Sequence, residues 1–219
     1  MFGFSDHSPM PFPSWYESTF RMSMSQLEDY VDTVLSLRDE YKDDIEIHLG
    51  LETEYYPDYF DALIDILKDY PIEYMLLGQH MLDSEIGAVG SGGPTDDVAL
   101  LRKYIDQCIT GLSTGHFLYL AHPDLMCFMG PDDVYEAEMS RLCGFCIERA
   151  IPVEINLLGL KEGRAYPSER FWKLAGRLGC TAVLGMDCHH VENVYRPELI
   201  AQGEAFAARC GVTLTEAHL

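Results

Sequence analysis

Residues 45–52 read IEIHLGLE, and this stretch indicates the fold class because its apolar and polar side chains alternate. Alternation with a period of two is typical of a β-strand, whose successive side chains point to opposite faces. One face then carries only aliphatic side chains, at Ile45, Ile47, Leu49 and Leu51. We expect this face to pack against helices and the opposite face, which ends in Glu52, to line the interior of a barrel.

Outward from this stretch, short apolar runs alternate with longer amphipathic segments along the whole chain. The runs predict strands at Met1–Ser5, Ile45–Glu52, Tyr74–Gly78, Leu118–Ala121, Val153–Ile155 and Thr181–Met186, with a terminal strand near 212–214. The segments predict helices at Gln26–Tyr41, Tyr59–Asp69, Asp97–Gly111, Asp132–Arg149, Glu169–Leu178 and Pro197–Arg209. Repeated βα units predict a parallel sheet, in which functional sites lie at the carboxyl ends of the strands.

Helix boundaries follow from residues that cap helices. Ser25 and Ser168 are predicted N-caps, because a serine hydroxyl accepts a hydrogen bond from the first turn of a helix. Gly111, Gly179 and Gly211 are predicted to end helices, since glycine adopts the left-handed conformation found there.

Polar residues end every one of the first six predicted strands. They are His7, Glu52, His80, His122, Asn156, Asp187 and His189. Four glycines each precede a polar residue by two positions and so share a face with it: Gly3 precedes Ser5, Gly50 precedes Glu52, Gly78 precedes His80 and Gly185 precedes Asp187. We expect these glycines to leave space around the polar cluster. Imidazoles and carboxylates gathered from separate strands are ligands for zinc, iron or manganese. The strand ends therefore predict a multinuclear, hydrolytic metal site.

Composition excludes several other classes of function. The chain has 219 residues, with 15 Lys+Arg against 36 Asp+Glu, so its formal charge is −21. Nucleic acid and anionic membranes are poor partners for such a charge. The seven cysteines, an odd number without a recognisable secretion signal, favour a reducing compartment, and we predict a cytoplasmic protein. No linker or repeat divides the sequence, so we expect a single domain over residues 1–219.

Six motifs resemble, in this order, the PHP phosphoesterases, and within that family the histidinol-phosphatase branch. They read FSDHSPM, GLETEYYP, LGQHMLD, AHPDL, VEINLLGLKEGRAYPSE and GMDCHHVENV. The resemblance implies an α/β fold, a distorted TIM-like barrel of seven βα units around up to three divalent metal ions. It also implies hydrolysis of a phosphomonoester, histidinol phosphate, in histidine biosynthesis, with a hydroxide between two metals attacking phosphorus in line.

The resemblance also implies a role for each strand-end residue. Glu52 would bridge two metals, with His80 and His122 completing one of those sites. Asp187 would bind the second metal, and His7 with His189 the third. Glu52 and Asp187 are accordingly the predicted catalytic residues.

Family members open with a strand that ends in H-x-H, and no such pair precedes Gly3 here. We therefore expect a barrel that lacks its first βα unit, from an N-terminally truncated chain. Metal should then be best ordered at Glu52, His80 and His122, and activity should be low. Exposed sheet edges in such a barrel should also promote self-association.

A cation is needed to hold the substrate phosphate. The candidates are Arg164, Lys161 and Arg21, which lie in segments that resemble the substrate loops of the family. Two alternatives remain open at this point: a PHP phosphoesterase of another substrate, such as a nucleotide or phosphotyrosine, and a noncatalytic metal-binding remnant.

Overall fold

The structure is a computed structural model that describes residues 2–217, so Met1 of the first predicted strand lies outside the described residues. Strands and helices alternate along it. The strands are β1 (Phe2–His7), β2 (Ile47–Thr53), β3 (Tyr74–Leu77), β4 (Tyr119–Leu120), β5 (Val153–Asn156), β6 (Thr181–Gly185) and β7 (Thr213–Leu214). The α-helices are α1 (Leu27–Glu40), α2 (Phe60–Leu67), α3 (Val98–Ser113), α4 (Asp132–Glu148), α5 (Leu157–Glu162), α6 (Glu169–Leu178) and α7 (Pro197–Cys210).

The seven strands form one sheet in sequence order, β1 to β7. Every neighbouring pair is parallel, as expected for βα units. Within residues 2–217, β1 and β7 do not pair with each other, so the sheet is not closed into a barrel. All seven carboxyl ends consequently point to one edge of the sheet.

The alternation in β2 is confirmed. Leu49 and Leu51 are fully buried in the main hydrophobic core, where helix α1 packs against β2. Ile45 does not share this burial, because the strand begins only at Ile47 and Ile45 is 38% exposed. The opposite face lines a cavity of about 930 Å³ that contains both His48 and Glu52.

The predicted helix boundaries are confirmed in part. The Ser168 hydroxyl accepts a hydrogen bond from the Phe171 amide at the start of α6, and Gly179 and Gly211 end α6 and α7 in the left-handed conformation. Ser25 is not an N-cap, because it lies inside a 3-10 turn that Ser23 caps. Gly111 does not end α3, which continues to Ser113.

Helix α5 is the element that the prediction missed. It begins directly after β5, with the Asn156 side chain accepting from the Gly159 amide at 2.8 Å, and it ends at the left-handed Gly163. These two capping residues are the sequence signal for it. Across residues 2–217, none of the helices combines the length and the apolar character needed to span a bilayer.

A close approach between α6 and α7 leads to a stability prediction. A Cβ atom at Gly176 would lie 2.2 Å from the carbonyl oxygen of Cys210, so Gly176→Ala should lower the free energy of unfolding by about 1–3 kcal/mol. Gly144→Ala is the matched control on α4, where the structure describes no atom within 4 Å of the new Cβ. It should raise the free energy of unfolding by about 0.5–1 kcal/mol. Urea denaturation measures both changes, and equal effects would contradict the packing described here.

Candidate metal centre

The carboxylate of Glu52 lies among three imidazoles at the carboxyl edge of the sheet. His122 Nε2 is 3.1 Å from Glu52 Oε1, and His80 Nε2 is 3.5 Å from the same oxygen. His7 Nδ1 lies 4.0 Å from Glu52 Oε2, since His7 pairs with Glu52 in the register of β1 and β2. Four of the side chains predicted at strand ends, which are distant in sequence, are therefore close together in space.

His80 is held from behind by a second carboxylate. Its Nδ1 lies 2.9 Å from Glu54 Oε1, while Glu54 Oε2 accepts from Arg21 at 2.7 Å. Glu54 is fully buried. Glu54 is not among the residues predicted from the sequence, although its spacing of two from Glu52 is the signal that could have placed it on the same side.

Two predicted ligands occupy strained backbone positions. His122 has φ of 28° and Asp187 has φ of 48°, both in the left-handed region that residues other than glycine rarely adopt. Such strain persists where surrounding structure enforces it, and it clusters at functional sites.

The four glycines of the predicted spacing do leave space, but for side chains of neighbouring strands. A Cβ at Gly78 would lie 2.0 Å from Glu52 Oε1, and one at Gly185 would lie 1.6 Å from an oxygen of Glu154. Gly3 and Gly50 make room for the ring and hydroxyl of Tyr74. Gly78 and Gly185 thus allow the carboxylates of Glu52 and Glu154 to lie against the sheet.

The charges of this cluster stabilise one another. Burial opposes ionisation of Glu52, but the hydrogen bond from His122 and the charges of the nearby histidines hold the pKa of this carboxyl well below its usual range. Burial likewise lowers the pKa of His122, yet Glu52 overcomes this and raises the pKa to about 9. For Glu54, burial is outweighed by Arg21 and His80, which lower its pKa to about 2.

A further polar network links β5 and β6. Glu154 Oε2 accepts from the His122 amide at 3.0 Å and from Asn156 Nδ2 at 3.2 Å. Asn156 Nδ2 also donates to Asp187 Oδ2 at 3.0 Å. Glu154 is also absent from the sequence prediction, in which Asn156 is the only site residue of the EIN run. Burial raises the pKa of Glu154 to about 7.

Within residues 2–217, two groups of three side chains bring ligand atoms within 4.8 Å of one another: Glu52 with His80 and His122, and His7 with Glu54 and His80. In the second group both oxygens of Glu54 are already bonded, and the Arg21 guanidinium at 2.7 Å repels a cation. The first group is therefore the better metal site.

Asp187 and His189 lie apart from these two groups. His189 Nδ1 is 3.3 Å from Asp187 Oδ1, so the two side chains contact each other. Both line the same large cavity as Glu52. The roles predicted for them, and for His7 as a third-metal ligand, stay predictions.

The three predicted phosphate-binding cations have different surroundings. Arg164 is exposed, donates to the Tyr166 hydroxyl at 2.7 Å and pairs with the exposed Glu162 at 2.7 Å. Lys161 Nζ lies 2.7 Å from Asn193 Oδ1. Arg21 is buried and bonded to two carboxylates, Glu54 and Glu85. Because Arg21 and both of its partners are buried, its guanidinium is not accessible to a phosphate in this structure.

The residues of the first group fit a divalent metal ion such as zinc. One carboxylate and two imidazoles are a donor set that catalytic zinc sites use, with a further position left open. The Nδ1 atom of His122 is also buried with no hydrogen-bond partner among the described residues.

Comparison with known proteins agrees with this geometry. No protein-family model matches the chain. A probable histidinol-phosphatase of Deinococcus radiodurans is 27% identical over 200 residues, which cover 85% of this chain and 73% of the relative. A probable histidinol-phosphatase of Schizosaccharomyces pombe is 24% identical over 241 residues, covering 97% of this chain and 77% of the relative. The chain is therefore similar in sequence, over most of its length, to two proteins named probable histidinol-phosphatase.

A solved structure supports the same relationship at the level of the fold. Histidinol phosphate phosphatase from Lactococcus lactis, complexed with zinc, L-histidinol and phosphate, superimposes with a TM-score of 0.70 at 18% identity. The match covers 97% of this chain and 82% of the other. The predicted α/β fold of the PHP type is confirmed, with the sheet open between β1 and β7, and so is the resemblance to the histidinol-phosphatase branch.

The first group predicts where metal binds. His122→Ala should weaken zinc binding by more than about 100-fold. Loss of a residue that only supports a ligand typically costs about 10- to 100-fold, and loss of the ligand itself should cost more. His48→Ala is the control, because His48 lies lower on β2 and contacts Glu46 and Glu73 instead. Elemental analysis after dialysis against zinc gives the stoichiometry, and anomalous scattering gives the position. Cys143 and Cys146, two free and buried cysteines of α4, are an alternative pair of metal ligands. Metal bound at these cysteines instead would contradict the assignment.

The buried carboxyl of Glu154 predicts a pH-dependent stability. Because folding raises its pKa to about 7, the folded metal-free protein retains a proton that the unfolded chain loses near pH 4. This contribution to stability declines as pH rises through that window and is fully lost above pH 7. Glu154→Gln should therefore stabilise the metal-free protein at pH 8 by up to about 3 kcal/mol. Chemical denaturation at pH 4 and pH 8 tests this, and an equal effect at both would contradict it.

Proposed function

We propose that this chain is a metal-dependent phosphomonoester hydrolase whose substrate is histidinol phosphate. One observation carries the proposal: the carboxylate of Glu52 and the imidazoles of His80 and His122 converge at the carboxyl edge of the sheet. Relatives that carry the name histidinol-phosphatase match this chain over most of its length. The related Lactococcus lactis fold holds zinc, histidinol and phosphate.

The residues of the site would divide the work among them. Glu52, His80 and His122 would hold a divalent ion, which when bound acts as a Lewis acid and lowers the pKa of water. Tyr166 covers His122, with ring centroids 5.5 Å apart, and Phe20 lies edge-on to His80. These aromatic rings restrict the access of water to the imidazoles and keep the imidazoles in place.

Arg164 is the best candidate for the phosphate-binding cation. Its side chain is 39% exposed and its carboxylate partner, Glu162, is exposed as well, so a phosphate can compete with Glu162 for the guanidinium. The Tyr166 hydroxyl fixes one end of the guanidinium beside the ring that covers His122. A planar guanidinium can bind two phosphate oxygens at once. Lys161 is held by Asn193 and is the second candidate.

The proposed partner is a small phosphorylated molecule, and the proposed location is the cytoplasm. All seven cysteines are free in the structure, as expected for a reducing compartment.

Substrate preference tests this function. In the presence of zinc, manganese or iron, histidinol phosphate should be hydrolysed with a higher kcat/KM than nucleotide monophosphates or phosphotyrosine. Arg164→Ala should raise KM, lower kcat, or both, depending on whether Arg164 binds the ground state and the transition state equally. Arg149→Ala on the far end of α4 is the control and should leave both constants unchanged. Equal kcat/KM for the three substrate classes would reject histidinol phosphate as the dedicated substrate.

A second function is favoured by the separation of Asp187 and His189 from the two groups of ligand atoms. A chain that binds metal only at Glu52, His80 and His122 would be a noncatalytic metal-binding protein. The two functions differ in one measurement, since stoichiometric zinc binding without turnover of any phosphomonoester would favour the second.

A further inference from the structure

Arg21 is a buried cation that ties three strand ends together. Its side chain is 1% exposed, and it donates to Glu54, to Glu85 and to the carbonyl oxygen of Ser8 at 2.7–2.9 Å. Ser8 follows β1, Glu54 follows β2, and Glu85 lies in the loop after β3. Burying a charged triad costs desolvation free energy that hydrophobic packing would avoid, so its presence requires a reason other than stability.

One member of the triad of Arg21, Glu54 and Glu85 contacts His80: Glu54, through its Oε1 atom. The Arg21 guanidinium holds Glu54 as a carboxylate, which can only accept hydrogen bonds, so Nδ1 of His80 must carry the hydrogen of the 2.9 Å contact. In the neutral imidazole, which is the form that binds metal, the lone pair is then on His80 Nε2, the atom that lies 3.5 Å from Glu52 Oε1 on the side of the candidate metal site. Histidines that bind metals usually donate their other N–H to a carboxylate or carbonyl in this way.

We propose that Glu54, anchored by Arg21, is a positioning residue that fixes the orientation and tautomer of His80 for metal binding. This inference rests on the proposed function, in which Glu52, His80 and His122 hold a metal. It assigns to Arg21 a place behind the metal site, in contrast to the phosphate-binding role that the sequence suggested.

A purely structural role for Glu54 makes a different prediction. Glu85 also neutralises Arg21, at 2.7 Å from Nε, but it does not contact His80. Glu54→Gln and Glu85→Gln therefore remove the same kind of ion pair from the same arginine. Only Glu54→Gln changes the acceptor of His80. The amide keeps one oxygen, which the Arg21 guanidinium attracts, and so turns its NH2 group, a donor, toward His80 Nδ1.

The experiment measures zinc affinity by competition with a chromophoric chelator. Glu54→Gln should bind zinc about 10- to 100-fold more weakly than the wild type. Glu85→Gln should stay close to the wild type, even if both variants lose thermal stability. In a His80→Ala background, Glu54→Gln should cause no further loss, because the residue acts through His80.

A second measurement uses the unmodified protein and therefore does not depend on a variant that folds. In the zinc-loaded wild type, ¹⁵N NMR of the imidazoles should show His80 with hydrogen on Nδ1 and zinc on Nε2. Zinc on Nδ1, equal losses in the two glutamine variants, or a further loss in the His80→Ala background would overturn the proposal. A wild type that binds no zinc would overturn the proposed function itself, whereas normal zinc binding by Glu54→Gln would overturn only the positioning role.

Discussion

The contact between the Glu52 carboxylate and the neighbouring imidazoles is the interaction on which the candidate site depends. Glu52 points into a cavity at the carboxyl edge of the sheet, where burial alone would keep it protonated. Contacts with His122 and His80 reverse that preference, and the missing side chain at Gly78 provides the space for the carboxylate. Each feature is costly alone, since an unpaired charge or a cavity would destabilise the fold. Together they place one carboxylate and two imidazoles, the donor groups that a divalent metal ion uses, next to one another.

The parallel topology explains how distant residues meet there. Because every strand runs in the same direction, the residues that follow β1, β2, β3 and β4 emerge at the same edge. Arg21 reinforces this arrangement from a loop outside the sheet by bonding to the segments after three successive strands. The result is a set of ligands that the backbone brings near and a buried ion-pair network that fixes one of them in orientation.

The sequence predicted those features that follow from the periodicity of apolar side chains and from the order of strands and helices along the chain. The alternation in β2 correctly placed Leu49 and Leu51 in the core and Glu52 in the cavity, and α6 was predicted with the bounds it has. The spacing of two from Glu52 puts Glu54 on the same side, but its contact with His80 joins segments that follow different strands, and no local pattern specifies that contact. The same holds for Glu154 and the His122 amide. The space beside Gly78 and Gly185 was anticipated, but it accommodates carboxylates of adjacent strands, since sheet neighbours cannot be identified from spacing along one strand. Ser25 and Gly111 were wrong as helix boundaries. Ser25 lies inside a 3-10 turn that Ser23 caps, and α3 continues past Gly111 to Ser113.

The position of each strand in the open sheet also separates the predicted ligands into two kinds. Glu52 and His122 belong to β2 and to the segment after β4, strands that pair with a neighbour on both sides. Backbone ladders on two sides fix such residues before any ligand binds, which lowers the entropy lost on binding. His7 lies on β1, which within residues 2–217 pairs only with β2, and His189 is 55% exposed beyond β6. Residues with fewer fixed neighbours lose more conformational freedom when they bind a ligand. The fold therefore favours Glu52, His80 and His122 as the strongest part of the candidate metal centre.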